Sequence, residues 1–395
     1  MMHVLYSFPL RFGLAGIGTT AWNQVAELVK KGLRVTLFCG SCERPVPGIH
    51  RVVETMRVGP IPVPYRLIGN ARAFRFHDWK VAQEISRAAA KGDGGYDVVH
   101  CWPLGSLATL RAARRCGTAS VLERPNTHTA FAYEAVAREH EKLGLPVDRS
   151  HSHSFNAERL RIEEAEYACA DILACPSEFV AQTFLARGVE PARIGRHRYG
   201  YDPGRFSPGP APDASRPLTL LFVGSCEPRK GLHYALEAWS RSSASSEGRF
   251  IICGSFVPGY RDKLAHLLSA PGVEDRGYLR DVSGVMREAD ALVLPSVEEG
   301  SALVTYEARA CGCILLVSDA TGAVVEDGRS GFVHHAGDVD TLSQQMSLLA
   351  SDRGRLLAMR SSSIEGLPEL TWATGCELLY GLYKRAIQQG KTRTS

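Results

Sequence analysis

Short, almost continuously apolar runs alternate along most of this chain with longer stretches in which apolar residues recur at helical spacing. Val4-Leu5-Tyr6 reads as a strand. A glycine-bearing loop follows, then a helix with Val25, Leu28 and Val29 turned inward, stopped by Gly32 ahead of the strand Arg34–Phe38. Asp97–His100, Ala119–Leu122 and Ile172–Cys175 continue the alternation. A second series opens at Leu218–Gly224 and runs through Phe250–Gly254, Ala291–Leu294 and Ile314–Val317. Strands this apolar are covered on both faces, and strands alternating with helices predict parallel sheets, an α/β fold in two Rossmann-like halves. Between the halves, Pro203, Pro208, Pro210, Pro212 and Pro217 make a stiff extended connection, read as a linker over 201–217. Leu370–Gln388 predicts a final helix.

The string EEGSALVTYEARACG, Glu298 to Gly312, follows the apolar run Ala291–Pro295. A buried strand, a turn at Gly300-Ser301-Ala302 and a helix opening near Leu303 would set backbone N–H groups at the strand's carboxyl end, where open α/β sheets bind phosphorylated ligands. Glu299 would lie in the turn, and Glu307 one helical turn in, able to accept hydrogen bonds from a ribose diol. A second strand-to-helix turn, Gly224-Ser225-Cys226-Glu227-Pro228-Arg229-Lys230-Gly231, offers two cations to a phosphate. Gly16-Ile17-Gly18 follows the first strand and opens a helix, a place where backbone and dipole can approach an anion. No Lys-Ser/Thr pair follows it, so it is not an ATPase loop, and no acidic residue closes the Arg34 strand, which argues against a dinucleotide site.

Together these strings resemble the retaining glycosyltransferases of family 4, which adopt the GT-B fold. Ser301 and Ala302 stand where that family most often has Phe and Gly, and Ser225 stands where it usually has an arginine. Lys230 holds the lysine position, with Arg229 beside it as a candidate replacement for the missing charge. The resemblance implies an acceptor domain over 1–200, a nucleotide-sugar domain over 218–370, and a C-terminal helix, about 371–390, crossing back onto the first. It implies donor contacts from Gly16, Gly18, Ser225, Arg229, Lys230, Gly300, Ser301, Ala302, Leu303 and Glu307. Tyr278 and Leu279 stand where the nucleotide base is held, and Glu299 where the donor sugar is bound. His128, in the loop after Ala119–Leu122, resembles a histidine that lines the cleft near the transferred sugar. The implied reaction moves a sugar from a nucleotide-diphosphate sugar to a hydroxyl acceptor, on a cell-envelope or lipid-linked saccharide or a small glycoside. A hydrolysing epimerase on the same architecture and a non-catalytic bilobal sugar-binding protein are the alternatives.

Composition narrows this further. The chain has 395 residues, 45% hydrophobic and 22% charged, with a formal net charge of +4. That is a globular composition, too weakly basic to argue for nucleic acid. Eleven cysteines lie mostly inside apolar elements and read as reduced thiols; Cys39 and Cys42 have redox spacing but no helix N-terminus to activate a thiolate. His151-Ser152-His153 lacks ligand partners nearby and reads as a solvated loop, and Asp338-Val339-Asp340 reads as a helix cap. No cofactor or metal is therefore expected. The start of the chain does not read as a signal peptide, and no run is apolar enough to span a bilayer, so a cytoplasmic protein is expected, free or resting on the inner membrane face. The stretch 57–91 carries Arg57, Arg66, Arg72, Arg75, Lys80, Arg87 and Lys91 with Leu67, Ile68, Phe74, Phe76 and Trp79 interleaved. It reads first as a solvated helix face over core aromatics, and as an alternative it suits an anionic leaflet.

Overall fold

The computed structural model describes residues 1–58, 61–63, 68–91, 95–213 and 215–394. The chain divides into two compact units. One comprises Met1–Pro125, Asn156–Tyr199 and the segment from Trp372 on; the other comprises Asn126–Phe155 and Gly200–Thr371.

The first unit holds a seven-stranded parallel sheet: β1 (His3–Phe12), β2 (Arg34–Cys42), β3 (Arg51–Glu54), β6 (Val98–Cys101), β7 (Ala119–Glu123), β8 (Ile172–Cys175) and β9 (Ile194–Arg196), in the order β3-β2-β1-β6-β7-β8-β9. A short antiparallel pair, β4 (Arg57–Val58) and β5 (Ile61–Pro62), stands apart from it. Alternate residues of β1 feed opposite cores, as strand geometry requires. Val4, Tyr6 and Phe8 pack with Val25 and Leu28 of the helix Ile17–Lys30 and with Leu379, Leu382 and Tyr383 of the helix Trp372–Thr394. Leu5 faces Val81, Ile85, Leu110 and Phe184 on the other side. The C-terminal helix is thus part of the first unit, and the Tyr383 hydroxyl meets His100 Nδ1 at 2.9 Å.

Beneath it lies a fully buried polar network. Glu123 accepts from Tyr199 (2.9 Å) and Gln24 (3.2 Å) and pairs with His197 Nε2 at 3.0 Å. Every polar atom withdrawn from water needs such a partner. Burial raises the cost of charging Glu123, but His197 and His100 outweigh it and hold its carboxyl below the usual range.

The second unit is a six-stranded parallel sheet: β10 (Thr219–Val223), β11 (Arg249–Cys253), β12 (Val273–Asp275), β13 (Ala291–Leu294), β14 (Ile314–Ser318) and β15 (Gly331–His334), in the order β12-β11-β10-β13-β14-β15. All of Ala291–Leu294 is inaccessible to water, as a central strand covered on both faces must be. The order reverses between β10 and β13, so the loops leaving those two strands flank a crevice at their carboxyl ends. Gly209 and Pro210 of the proline-rich connection accept from Arg360, which pins that stretch to this unit. Asn126–Phe155, grouped by sequence with the first domain, packs here instead. Its helix Thr129–Lys142 presents Glu139 to His233 Nε2 at 2.9 Å and to the Tyr234 hydroxyl.

Buried imidazoles make stability depend on pH. His77 sits between Ser7 and Thr55 hydroxyls at 2.9 Å each, and burial, reinforced by Lys80, lowers its pKa to about 3. Burial likewise lowers His100 to about 4, against the pull of Glu123. Below the unfolded value the unfolded chain binds protons that the native state refuses, so native stability falls with pH in that window. The melting temperature, followed by circular dichroism, is expected to drop steadily from pH 6.5 toward 4, and a flat profile over that range would contradict the burial argument.

Candidate functional site

The crevice loops are locked together before any ligand arrives. Val297 N–H donates to the Arg229 carbonyl at 2.9 Å, and Arg229 Nη1 donates back to the Glu298 carbonyl at 2.9 Å. Gly231, which joins the turn Pro228–Lys230 to the helix Leu232–Arg241, has φ +72°, and a Cβ there would collide with the Pro295 carbonyl. Only glycine meets both demands.

Between the loops sits a cluster of charges. Arg229 donates to Glu227 (2.9 Å), Glu298 (3.2 Å) and Glu299 (2.9 Å), while Lys230 Nζ forms an ion pair with Glu299. Burial alone would lower the pKa of Arg229, but Glu299, Glu227 and Glu298 outweigh it and raise the pKa above the ordinary guanidinium value. Burial likewise pushes Glu299 up, yet Arg229 and Lys230 prevail and hold it ionised. Glu227 falls to about 2, burial being overcome by His151, Arg229 and Lys230. Arg229, a candidate for the diphosphate, is the counter-ion of three carboxylates in this structure. Geometry is the reason: its terminal nitrogens are within hydrogen-bond distance of carboxylates carried by its own loop and by the next one.

The segment Asn126–Phe155 completes the cluster. Thr127 Oγ1 donates to Glu298 Oε1 at 2.6 Å, and His153 Nε2 lies 3.7 Å from Glu298 Oε2. His151 Nε2 is 2.8 Å from Glu227 Oε2. The expectation that His151-Ser152-His153 is a solvated loop is corrected here: His153 is only 7% exposed, because two buried carboxylates recruit the imidazoles. His128, next to Thr127, caps the helix Thr129–Lys142 by accepting the Ala130 N–H on Nδ1 at 3.2 Å.

Around this cluster the other candidate residues fall into three places. Gly300 to Leu303 lead into the helix Leu303–Ala310; Ser301 turns inward, its Oγ 2.9 Å from the Tyr306 hydroxyl and 3.1 Å from the Gly322 carbonyl. Glu307 is half-buried on that helix, and burial raises its pKa while Arg205 pulls the other way. Ser225, Tyr278 and Leu279 line one cavity of about 370 Å³ with Gly224, Gly254 and Val282 at the ends of β10 and β11. Tyr278 is 75% exposed. Gly16 and Gly18 lie in the first unit, where Gly16 (φ +82°) precedes the helix Ile17–Lys30 and Gly18 packs against the Arg11 carbonyl.

Asp338 accepts from Thr341 N–H at 2.9 Å and caps the helix Val339–Ser351, while Asp340 pairs with Arg241. Among the described residues no three metal-ligating side chains are grouped as a metal ion requires.

Two family models match the chain: "Glycosyl transferase 4-like domain" over residues 15–200 and "Glycosyl transferases group 1" over 217–352. The chain is a group 1 glycosyltransferase of the family-4 type. It is thus an enzyme that transfers a sugar from a nucleotide sugar. It is 26% identical to the D-inositol 3-phosphate glycosyltransferase of Corynebacterium glutamicum over 94% of this chain and 92% of that one. The same enzyme from Mycobacterium marinum is 26% identical over 94% and 81%. Among solved structures, sucrose-phosphate synthase from Thermosynechococcus elongatus superposes with TM-score 0.69 at 17% identity, covering 98% and 99% of the two chains. Anabaena HepE, solved with UDP and glucose, gives 0.64 at 16% identity over 97% and 100%. These neighbours share the GT-B fold of two parallel α/β sheets. In the turn after β10, Arg229 is paired with three carboxylates and Lys230 with a single one, that of Glu299.

Because Arg229 balances three buried carboxylates, its loss strands them. Arg229→Met is expected to cost about 3–5 kcal/mol of stability in urea unfolding, and an unchanged midpoint would show the cluster to be hydrated and weak.

Proposed function

We propose that this enzyme is a retaining glycosyltransferase whose donor lies on the second unit. Glu307 would receive the ribose hydroxyls, Lys230 and the amides leading into Leu303–Ala310 the diphosphate, and Glu299 the sugar hydroxyls. The cavity at Ser225, Tyr278 and Leu279 would receive the base. The carrying observation is the Lys230–Glu299 pair set between two loops at the reversal point of the sheet. Glu299 is a poor candidate for a covalent nucleophile, since Arg229 and Lys230 both draw on its charge. The proposed step is therefore same-face substitution. The bond from the anomeric carbon to the phosphate oxygen breaks, that from the acceptor oxygen forms, and the acceptor proton passes to the departing phosphate. Lys230 and the helix-terminal amides stabilise the growing phosphate charge, so the step needs no metal. His128 is proposed to hydrogen-bond the sugar or a phosphate.

Release of nucleotide diphosphate from UDP-, GDP- and ADP-sugars, followed by acceptor profiling, tests this reading. HepE holding UDP and glucose makes UDP-glucose the first donor to try, and the inositol 3-phosphate relatives make phosphorylated cyclitols an early acceptor. Lys230→Ala and Glu307→Ala are expected to weaken nucleotide binding roughly tenfold to hundredfold in calorimetry, the value of a charge-assisted hydrogen bond, with EDTA present throughout. Unchanged affinity in both variants, or binding abolished by EDTA and restored by Mn²⁺, would overturn it.

We further propose that the acceptor is a lipid-linked or envelope saccharide reached from the inner membrane face. The helix Asn70–Ala90 buries Ala73, His77, Val81 and Ile85 and leaves Arg72, Arg75, Phe76 and Trp79 outside. Phe76 and Trp79 are 41% and 53% exposed and stack 5.9 Å apart, so they are not the core aromatics of the plainer alternative. Arg87 and Arg57 are paired with Glu84 and Glu54, whereas Arg66 and Leu67 lie outside the described residues. Among the described residues no helix is long and apolar enough to cross a membrane, so the contact would be peripheral. Each cation near an anionic surface adds about 1 kcal/mol. The protein is expected to float with anionic vesicles at low salt and Phe76→Ser/Trp79→Ser to lose that binding at least tenfold. Failure of the parent protein to float would favour a soluble acceptor.

A further inference from the structure

The geometry points to His151 as a positioning residue of the donor site, acting on Glu299 through Glu227 and Arg229; the inference rests on the donor-site reading above. Each link is a short polar contact. His153 N–H donates to His151 Nδ1 at 3.1 Å, so that nitrogen is unprotonated and the imidazole proton lies on Nε2. From there it is donated to Glu227 Oε2 at 2.8 Å. The other oxygen, Glu227 Oε1, accepts from Arg229 Nη2 at 2.9 Å, and Arg229 Nη1 reaches Glu299 Oε1 at 2.9 Å. The chain ends on the carboxylate that Lys230 also holds.

A neutral imidazole suffices for this role, because the contact needs a directed N–H rather than a charge. Glu227 is nearly removed from solvent, so without His151 one of its oxygens would lose a donor that water cannot easily replace. The carboxylate would then turn toward Arg229 or toward solvent, and the guanidinium shared with Glu298 and Glu299 would follow. Small displacements of a group that orients substrate are costly even when the group makes no contact with the reacting atoms. Thr127 performs the parallel service for Glu298, donating from its hydroxyl at 2.6 Å. The segment between the two units' first crossings is therefore part of the donor site.

The test compares two substitutions in the full chain. The parent protein is first titrated with UDP-glucose, GDP-mannose and ADP-glucose, and the tightest ligand becomes the probe. His151→Gln keeps a neutral N–H donor at the reach of Nε2 and should bind within about twofold of the parent. His151→Leu keeps bulk without the donor and should bind at least tenfold more weakly, with a parent-like melting curve. Equal binding by the leucine variant would overturn the inference, and equal weakening in both would make the imidazole mere packing. Should His151→Leu not fold, Glu227→Gln, which weakens the pull on Arg229 without changing shape, must show the same tenfold loss, and parent-like binding would overturn the inference. If the parent binds none of the three ligands, the donor reading fails, and this inference with it.

Discussion

One guanidinium, withdrawn from water and shared by three carboxylates, organises the second unit's crevice. Arg229 ties its own turn to the turn after β13 through the Glu298 backbone and the side chains of Glu298 and Glu299, and ties both to Glu227. Buried charges are tolerated only where each has a partner and the geometry is close. Here the requirement fixes the register of two loops that share no strand. Gly231 is required there because the loops approach so closely that a Cβ would meet the Pro295 carbonyl.

The charge count has a consequence for binding. Glu227, Glu298 and Glu299 carry three negative charges, against which Arg229 and Lys230 supply two positive ones. Under the proposed donor reading, a diphosphate arriving near Lys230 would compete with Glu299 for the ammonium. Lys230 has one carboxylate partner to leave, whereas Arg229 has three. A site with a permanent internal counter-ion keeps its carboxylates ionised and oriented whether or not ligand is present, which is the meaning of preorganisation in electrostatic terms.

Much of this was legible from residue pattern. Central strands such as Ala291–Leu294 announce themselves because burial on both faces leaves no polar positions. The edge strands β3, β9, β12 and β15 were not read: Arg51–Glu54 and Val273–Asp275 are partly exposed and carry little apolar signal, and Ile194–Arg196 and Gly331–His334 are only 3 and 4 residues long. The Glu299, Lys230 and Glu307 positions were visible because each belongs to a local strand-turn-helix pattern. Glu298, Glu227 and their partners were not, since Thr127 meets Glu298 across 171 residues of sequence and His151 meets Glu227 across 76. Nothing local distinguishes a histidine bound for a buried carboxylate from one bound for water. Arg229 was visible as a cation, but its partner could be assigned only once the carboxylates had coordinates.

The course of the chain between the units bears on how such enzymes can be recombined. Because Asn126–Phe155 leaves the first unit, docks on the second and returns, the second unit is discontinuous in sequence. A chimera joined in the proline-rich connection would import a foreign version of that segment along with the first unit. The recipient's Glu227 and Glu298 would then meet whatever residues the incoming chain carries in place of Thr127, His151 and His153. Swapping halves is therefore not modular in this protein: a productive junction would have to keep the excursion with the unit it packs against.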